Sequence, residues 1–186
     1  MFFVPNILTV VRLALVPLFI ILIDENRFGE ALVVFIVAGI TDGLDGFIAK
    51  RFNCETKIGA ILDPIADKAL LIAAYLLLAG LEMIPFWLMI VVVSRDVIIL
   101  GGCLLITLID KMPDMSPSKL SKLNTFLQII TIVLVLMTSA DWFDFNPYLD
   151  MFCYAVFCSS VLSGVFYVWQ WGFSLHRSPE MYEPKK

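Results

Sequence analysis

The sequence predicts an all-α integral membrane protein with six transmembrane helices. The 186-residue chain is 60% hydrophobic and has a mean hydropathy of +0.92. Charged residues make up 16% of it, against about 25% in ordinary soluble domains. Apolar runs near the ~20 residues that a helix needs to cross the hydrocarbon core recur along the chain. A soluble domain of this size could not bury so much apolar surface, so the bilayer is the expected solvent.

The apolar runs define six expected spans. They cover residues 5–23, 30–50, 59–80, 84–109, 119–140 and 148–171. A backbone that crosses lipid must be helical or form a closed barrel, and unbroken apolar runs this long are not typical of barrel strands. The first run lacks the charged start and cleavage site of a signal peptide, so we expect a retained helix. We expect one transmembrane domain at 1–177 and a polar tail at 178–186.

The basic residues predict the orientation of these spans. With six spans, the loops, their flanks and the tail on one side hold nine of them: Lys50, Arg51, Lys57, Lys111, Lys119, Lys122, Arg177, Lys185 and Lys186. The opposite side has only Arg27. Because cytoplasmic loops carry the excess of lysine and arginine, we expect both termini in the cytoplasm.

The cysteines and the histidine suggest no chemistry of their own. Cys54, Cys103, Cys153 and Cys158 fit neither a zinc site nor a redox pair by their spacing. Three of them lie in apolar runs, where free cysteine behaves as a small buried hydrophobe. His176, the one histidine, lies near the polar tail, so a histidine-based mechanism is not expected.

Four aspartates are placed where two expected helices meet. Asp42 and Asp45 are three residues apart and Asp63 and Asp67 are four apart, so each pair shares a helix face. A short basic loop joins the two helices, which predicts antiparallel neighbours. We therefore expect the two aspartate faces to meet near the cytoplasmic membrane surface.

Clustered carboxylates repel one another unless they take up protons or a cation. Carboxylate oxygens are hard ligands that suit Mg²⁺ or Mn²⁺, and a metal pair could hold a diphosphate for in-line displacement at phosphorus. Gly43 and Gly46 would leave room for the phosphates. The alternative is that the aspartates are solvated or paired with Lys50, Arg51 or Lys68. The high cost of ionisable groups inside a membrane favours a functional site.

The spacing of these residues resembles the signature of the CDP-alcohol phosphatidyltransferase family. The motif reads Asp42-x2-Asp45-Gly46-x2-Ala49-Lys50-x8-Gly59-x3-Asp63-x3-Asp67. The family usually has arginine where this chain has Lys50. The resemblance extends over nearly the whole chain and includes the opening PNILTVVR segment.

The resemblance implies a role for each aspartate. Asp42, Asp45 and Asp63 would bind two Mg²⁺ or Mn²⁺ ions, and Asp67 would ligate one ion and act as the general base. The acceptor hydroxyl would attack the phosphorus that carries diacylglycerol, and CMP would leave.

The resemblance also implies a nucleotide site, an assembly and a location. Gly46, Ala49 and Gly59 would line the cytidine diphosphate pocket, with Lys50 near a phosphate. The resemblance implies a homodimer in the bacterial cell membrane or the mitochondrial inner membrane, with the active site facing the cytoplasm or matrix. The implied partners are CDP-diacylglycerol, the acceptor and membrane lipids, and no nucleic acid is expected.

The alcohol acceptor depends on polar motifs in spans four and five. Arg95 of the Ser-Arg-Asp motif needs an anionic partner inside an apolar span. That partner is either a carboxylate such as Asp96 or the phosphate of the acceptor, which a guanidinium binds in a bidentate manner. Lys122 and Asn124, in the fifth span, are further candidates for acceptor binding.

These motifs resemble two branches of the family, phosphatidylglycerophosphate synthase and cardiolipin synthase. Glycerol phosphate synthases tend to carry an additional arginine and an additional lysine where this chain has Cys103 and Asn124. A dianionic phosphomonoester needs that charge more than a phosphodiester does. The sequence therefore favours phosphatidylglycerol as acceptor, with glycerol 3-phosphate as the alternative. A lipid transporter or scramblase is the alternative from another class, although the chain lacks the paired halves common in transporters.

Overall fold

The computed structural model describes residues 4–52, 59–108 and 119–176, and within them the side chains of 11–41, 68–102, 120–167 and 169. The described chain forms α1 (Val4–Asp24), α2 (Phe28–Phe52), α3 (Gly59–Gly80), α4 (Phe86–Leu108), α5 (Lys119–Ser139) and α6 (Asn146–His176). The all-helical prediction is confirmed. The largest difference is in α6, which extends five residues past the predicted end at 171. The tail at 178–186 lies outside the described residues.

The helices pack into one bundle with an apolar interior. α1 contacts α2 and α3, α5 contacts α2, α3 and α6, and α4 contacts α3 and α6. Fully buried side chains such as Phe19, Tyr75 and Leu136 fill the spaces between them. The Trp87 ring fixes α4 on α6, because it stacks on Tyr154 and meets another ring of α6 edge-on.

The outside of the bundle is apolar as well. Large hydrophobic side chains are exposed on every helix, among them Ile21, Val33, Leu76, Val97, Phe126 and Leu162. Contiguous apolar surface of this kind is rare on soluble monomers. Within the described residues, two stretches are long and apolar enough to cross a membrane, Leu120–Ser139 and Asn146–Tyr167.

Three tight turns join α1 to α2, α3 to α4 and α5 to α6 with the same backbone geometry. Each contains one residue in the left-handed region, Asn26, Glu82 or Asp141, with φ of 59°, 59° and 56°. In the first turn Arg27 N–H donates to Leu22 O at 2.8 Å, and the other two turns contain the equivalent bond. These bonds form the Schellman motif, which satisfies the last carbonyls of a helix. The three turns lie at one end of the bundle, and the helix ends at Phe52 of α2 and Leu108 of α4 lie at the other. We call the end with the turns the capped end.

Packing between the turns closes the capped end. A Cβ at Gly29 would lie 3.2 Å from Cζ2 of Trp142, so the start of α2 lies directly against the turn between α5 and α6. Arg27 Nε donates to Glu30 at 2.9 Å, and Nη1 donates to Glu25 at 3.1 Å. These hydrogen bonds raise the pKa of Arg27, so the one basic residue of the capped end stays charged.

Candidate active site

The four motif aspartates lie on two helices that share their neighbours. Asp42 and Asp45 belong to the second half of α2, and Asp63 and Asp67 to the first three turns of α3. Both helices contact α1 and α5. The carboxylates themselves lie outside the described side chains. The same holds for Gly46, Ala49, Lys50 and Gly59, which are also on these helices.

A cavity of about 290 Å³ begins next to the aspartate positions. Its walls come from four helices: Arg12 of α1, Phe35, Ile36, Ala38, Gly39 and Ile40 of α2, Leu70 and Leu71 of α3, and Ile129 and Val133 of α5. Ile40 precedes Asp42 by two residues and Leu70 follows Asp67 by three. Among the described residues that line it, all but Arg12 are apolar, so the cavity suits a hydrocarbon chain.

Arg12 was not singled out by the sequence reasoning. Its side chain is only 3% exposed, although it belongs to an apolar helix. The signal was present, because a charged residue within an expected span is functional by default. The sequence alone does not show that this arginine and the aspartate helices border one cavity.

Arg95 is held by a network that joins four helices. Nη1 of Arg95 donates to Asp96 Oδ1 at 2.6 Å. Nη2 donates to the hydroxyls of Ser121 and Ser163, each at 2.7 Å. The internal ion pair with Asp96, one of the two alternatives left open by the sequence, is therefore present. Arg95 and Asp96 are 5% and 1% exposed, so both charges are withdrawn from solvent.

The second oxygen of Asp96 brings α3 into the network. Oδ2 lies 3.1 Å from Lys68 Nζ, an ion-pair contact without hydrogen-bond geometry. Lys68 directly follows Asp67 in the chain and also approaches the Thr125 hydroxyl at 3.5 Å. The Asp96 carboxylate thus lies between two cations, and one of them, Lys68, is next in sequence to Asp67, the predicted base. The sequence alone indicates Lys68 only as a neutralising neighbour of the aspartates.

Asn124 and Lys122 have different surroundings. Asn124 is fully buried, and its Oδ1 accepts from the hydroxyls of Ser159 and Ser160 at 2.7 and 2.8 Å. Lys122 is exposed. Residues two apart on a helix do not share a face, so Asn124 and Lys122 point to different sides of α5. Asn124 and Arg95 are buried in the interior, and Lys122 lies on the surface.

The donor chemistry of the motif fits a divalent metal. The four aspartates on α2 and α3 offer oxygen ligands only, which is the preference of Mg²⁺ and Mn²⁺. Among the side chains that the structure describes, no group of three or more His, Cys, Asp or Glu could hold a metal ion.

Comparison with known proteins identifies the family. The model of the CDP-alcohol phosphatidyltransferase family matches residues 2–175. The chain belongs to the CDP-alcohol phosphatidyltransferase family. It is therefore an enzyme, a membrane-embedded phosphatidyltransferase of phospholipid biosynthesis. This decides against the transporter alternative. The family is generally dependent on divalent metal ions.

Relatives within the CDP-alcohol phosphatidyltransferases carry two activities. The chain is 31% identical over 180 residues to the CDP-diacylglycerol–glycerol-3-phosphate 3-phosphatidyltransferase of Bacillus subtilis, covering 88% of this chain and 92% of that protein. It is 32% identical over 181 residues to the human cardiolipin synthase (CMP-forming), covering 88% of this chain and 60% of that protein. A probable cardiolipin synthase of Drosophila melanogaster is 37% identical over 149 residues, which is 72% of this chain and 46% of that protein. Both activities predicted from the sequence are thus represented.

Proposed function

We propose that this phosphatidyltransferase is a CMP-forming cardiolipin synthase. It transfers the phosphatidyl group of CDP-diacylglycerol to a hydroxyl of phosphatidylglycerol. The products are cardiolipin and CMP. The alternative is a phosphatidylglycerophosphate synthase that uses glycerol 3-phosphate, the activity named for the Bacillus subtilis relative.

The charge of the buried network carries this proposal. Asp96 lies between Arg95 and Lys68, so three buried or half-buried charges leave a single net positive charge. A phosphodiester such as phosphatidylglycerol carries one negative charge, whereas glycerol 3-phosphate carries nearly two at neutral pH. Asn124 supplies a neutral amide at the position where the glycerol phosphate branch tends to have lysine. A network of low net charge favours the monoanion, because an unmatched charge is costly in a low-dielectric interior.

The protein residues of the proposed reaction have separate tasks. Asp67 takes the proton of the acceptor hydroxyl as its oxygen attacks the phosphorus that carries diacylglycerol. The bond between that phosphorus and the CMP oxygen breaks, and CMP leaves with the electron pair. Gly46, Ala49 and Gly59 border the nucleotide, with Lys50 near a phosphate.

Divalent ions complete the proposed site. Asp42, Asp45, Asp63 and Asp67 would hold two Mg²⁺ or Mn²⁺ ions, which would supply electrostatic stabilisation of the diphosphate. The net positive charge of the network around Arg95 attracts the acceptor phosphate. Lys122, on the surface of α5, attracts anionic headgroups.

The proposed setting is a bilayer that all six helices cross, with both termini and the aspartates on the cytoplasmic or matrix side. The excess of basic residues in the loops on that side supports this orientation. The cavity beside Arg12 would hold an acyl chain of a lipid substrate. The family resemblance supports a homodimer.

Acceptor choice is tested by CMP release from CDP-diacylglycerol. We expect purified enzyme with Mg²⁺ or Mn²⁺ to release CMP when phosphatidylglycerol is added in mixed micelles, and to form cardiolipin in equal amount. Glycerol 3-phosphate should support at least tenfold less turnover. Robust turnover with glycerol 3-phosphate and none with phosphatidylglycerol would assign the enzyme to the alternative branch.

The matched controls for this assay are two aspartate variants. Asp67→Asn removes the proposed base and should give no CMP above background with either acceptor. Asp150→Asn changes an exposed aspartate on α6, far along the chain from the motif, and should retain wild-type turnover. Turnover of Asp67→Asn near the wild-type rate would remove Asp67 from the base role.

A further inference from the structure

The interior face of α5 carries carboxamide groups with atoms that take no part in the hydrogen bonds around Arg95. Ser121, Asn124 and Gln128 follow one another at spacings of three and four residues, so they share one helix face. Ser121 accepts from Arg95. Asn124 and Gln128 are both fully buried.

Three amide atoms on this face have no hydrogen-bond partner. They are Nδ2 of Asn124 and both Nε2 and Oε1 of Gln128. Oδ1 of Asn124, in contrast, is committed to the serines of α6, which fixes the orientation of that amide. The backbone carbonyl of Gln128 accepts from Tyr75 at 3.3 Å, so the residue is also held in place against α3.

Buried polar groups in native proteins are almost always paired, and each exception needs an explanation. Here the exceptions are two donors and one acceptor within about one helical turn, ~5.4 Å. Nε of Arg95 on α4 is also buried and without a hydrogen bond, and the same guanidinium reaches α5 through Ser121. A ligand that forms the missing hydrogen bonds to these atoms must have both a donor and an acceptor next to an anionic group. A hydroxyl beside a phosphate ester meets that requirement, because one hydroxyl donates and accepts at once.

We propose that Gln128, together with Nδ2 of Asn124, binds the secondary hydroxyl of the acceptor's phosphorylated glycerol. This inference rests on the proposed function, since it assumes a phosphoglycerol acceptor. The shared chemistry is present in phosphatidylglycerol and in glycerol 3-phosphate, where the secondary hydroxyl is on the carbon next to the phosphorylated one. Arg95 and Lys68 provide the cationic side of the same site, and Gln128 is a specificity residue within it.

The test compares acceptors with and without the secondary hydroxyl. Phosphatidyl-1,3-propanediol keeps the phosphodiester and the terminal hydroxyl that attacks, and it lacks only the secondary hydroxyl. A site built to pair with a hydroxyl strongly disfavours an analogue that lacks it. We expect the wild-type kcat/KM to be at least tenfold lower with the analogue than with phosphatidylglycerol. The same comparison with glycerol 3-phosphate and 1,3-propanediol monophosphate covers the other acceptor.

Gln128→Leu should abolish this discrimination. Its kcat/KM with phosphatidylglycerol should fall at least tenfold, while its value with the propanediol lipid should change by less than threefold. Thr131→Val is the matched control, because Thr131 is also fully buried on α5, where its hydroxyl is hydrogen-bonded to Leu127 O of the same helix and to the side chain of Tyr75. This control should keep the wild-type ratio between the two acceptors.

The outcomes separate the inference from the proposed function. Discrimination retained in Gln128→Leu, or absent from the wild type, would overturn the role of Gln128 while leaving the phosphoglycerol activity intact. The ratio of kcat/KM between the two acceptors can be measured on the wild type alone, so the test still applies if the Gln128→Leu protein fails to fold. CMP release with neither phosphoglycerol acceptor would overturn the proposed function and this inference together.

Discussion

At the scale of single residues, Asp96 has the most consequential position among the described side chains. Its carboxylate is fully buried and lies between a guanidinium of its own helix and an ammonium of α3. A buried ion pair adds little net stability compared with apolar residues, but removal of one partner is costly because it leaves a charge uncompensated. Here the removal of Asp96 would leave two cations in the interior.

Asp96→Asn should therefore destabilise the protein by about 3–5 kcal/mol, the usual cost of breaking a buried pair. The measurement is the unfolding free energy in detergent micelles, followed by circular dichroism against denaturant. Ser94→Ala serves as control, since Ser94 is exposed and donates only to Val91 O of its own helix; we expect a change within about 0.5 kcal/mol. Equal stability of Asp96→Asn and wild type would show that the two cations do not depend on this carboxylate.

The sequence predicted the chemical type of these residues better than their partners. The sequence indicates Arg95 because a charged group inside an apolar span is unusual, and it indicates Asn124 through the family resemblance of the fifth-span motif. The partners Lys68, Ser121 and Ser163 come from three other helices, and side-chain contacts between distant segments leave no periodic pattern in the sequence. The roles of the motif aspartates stay predictions.

At the scale of helices, α2 has a glycine at the wall of the cavity. A Cβ at Gly39 would meet no atom within 4 Å, so a larger side chain there enters the open space of the cavity without a backbone clash. A Cβ at Gly101 on α4 would likewise meet no atom within 4 Å, but Gly101 is not part of the cavity wall.

Gly39→Leu should raise the KM for long-chain CDP-diacylglycerol or phosphatidylglycerol several-fold, because the leucine occupies space proposed for an acyl chain. The kcat should change by less than twofold, since the aspartates stay in place. Gly101→Leu, which adds the same side chain elsewhere, should leave both constants near wild type. An unchanged KM in Gly39→Leu for both lipids would show that neither uses this cavity. The assay is CMP release as a function of each lipid's mole fraction in mixed micelles.

At the scale of the whole molecule, the proposed topology places two connections on opposite sides of the membrane. The turn between α5 and α6 contains the exposed Asp144, and three helices separate it from the connection between α2 and α3. If all three cross the bilayer, the two connections face different compartments.

Single cysteines in a cysteine-free background test this arrangement. We expect Asp144→Cys to react with a membrane-impermeant maleimide from outside intact cells, and Asn53→Cys to react only after permeabilisation. Labelling of both positions in intact cells, or of neither, would contradict the six-span topology. Wild-type CMP release by each variant is the control that the labelled protein is folded.

The overall architecture was largely predictable from sequence. Six apolar runs corresponded to six helices because helix length in a membrane protein is set by the thickness of the bilayer. The order in which the helices pack was less accessible. α2 and α3 were expected to be antiparallel neighbours, and the structure shows both of them packed against α1 and α5. Such arrangements depend on side-chain shape along whole helix faces, which hydropathy does not record.

The three Schellman turns have a mechanical consequence. They join the helices into pairs at the capped end, where Trp142 lies against Gly29. When two rods are joined at one end, a small rotation about the joint separates them most at the other end. A lipid substrate that enters sideways between the two helices of such a pair would therefore meet the least resistance at the end away from the turn. The stiffness of the three turns, which are far from the reacting atoms, would then set how fast the substrate enters and the product leaves.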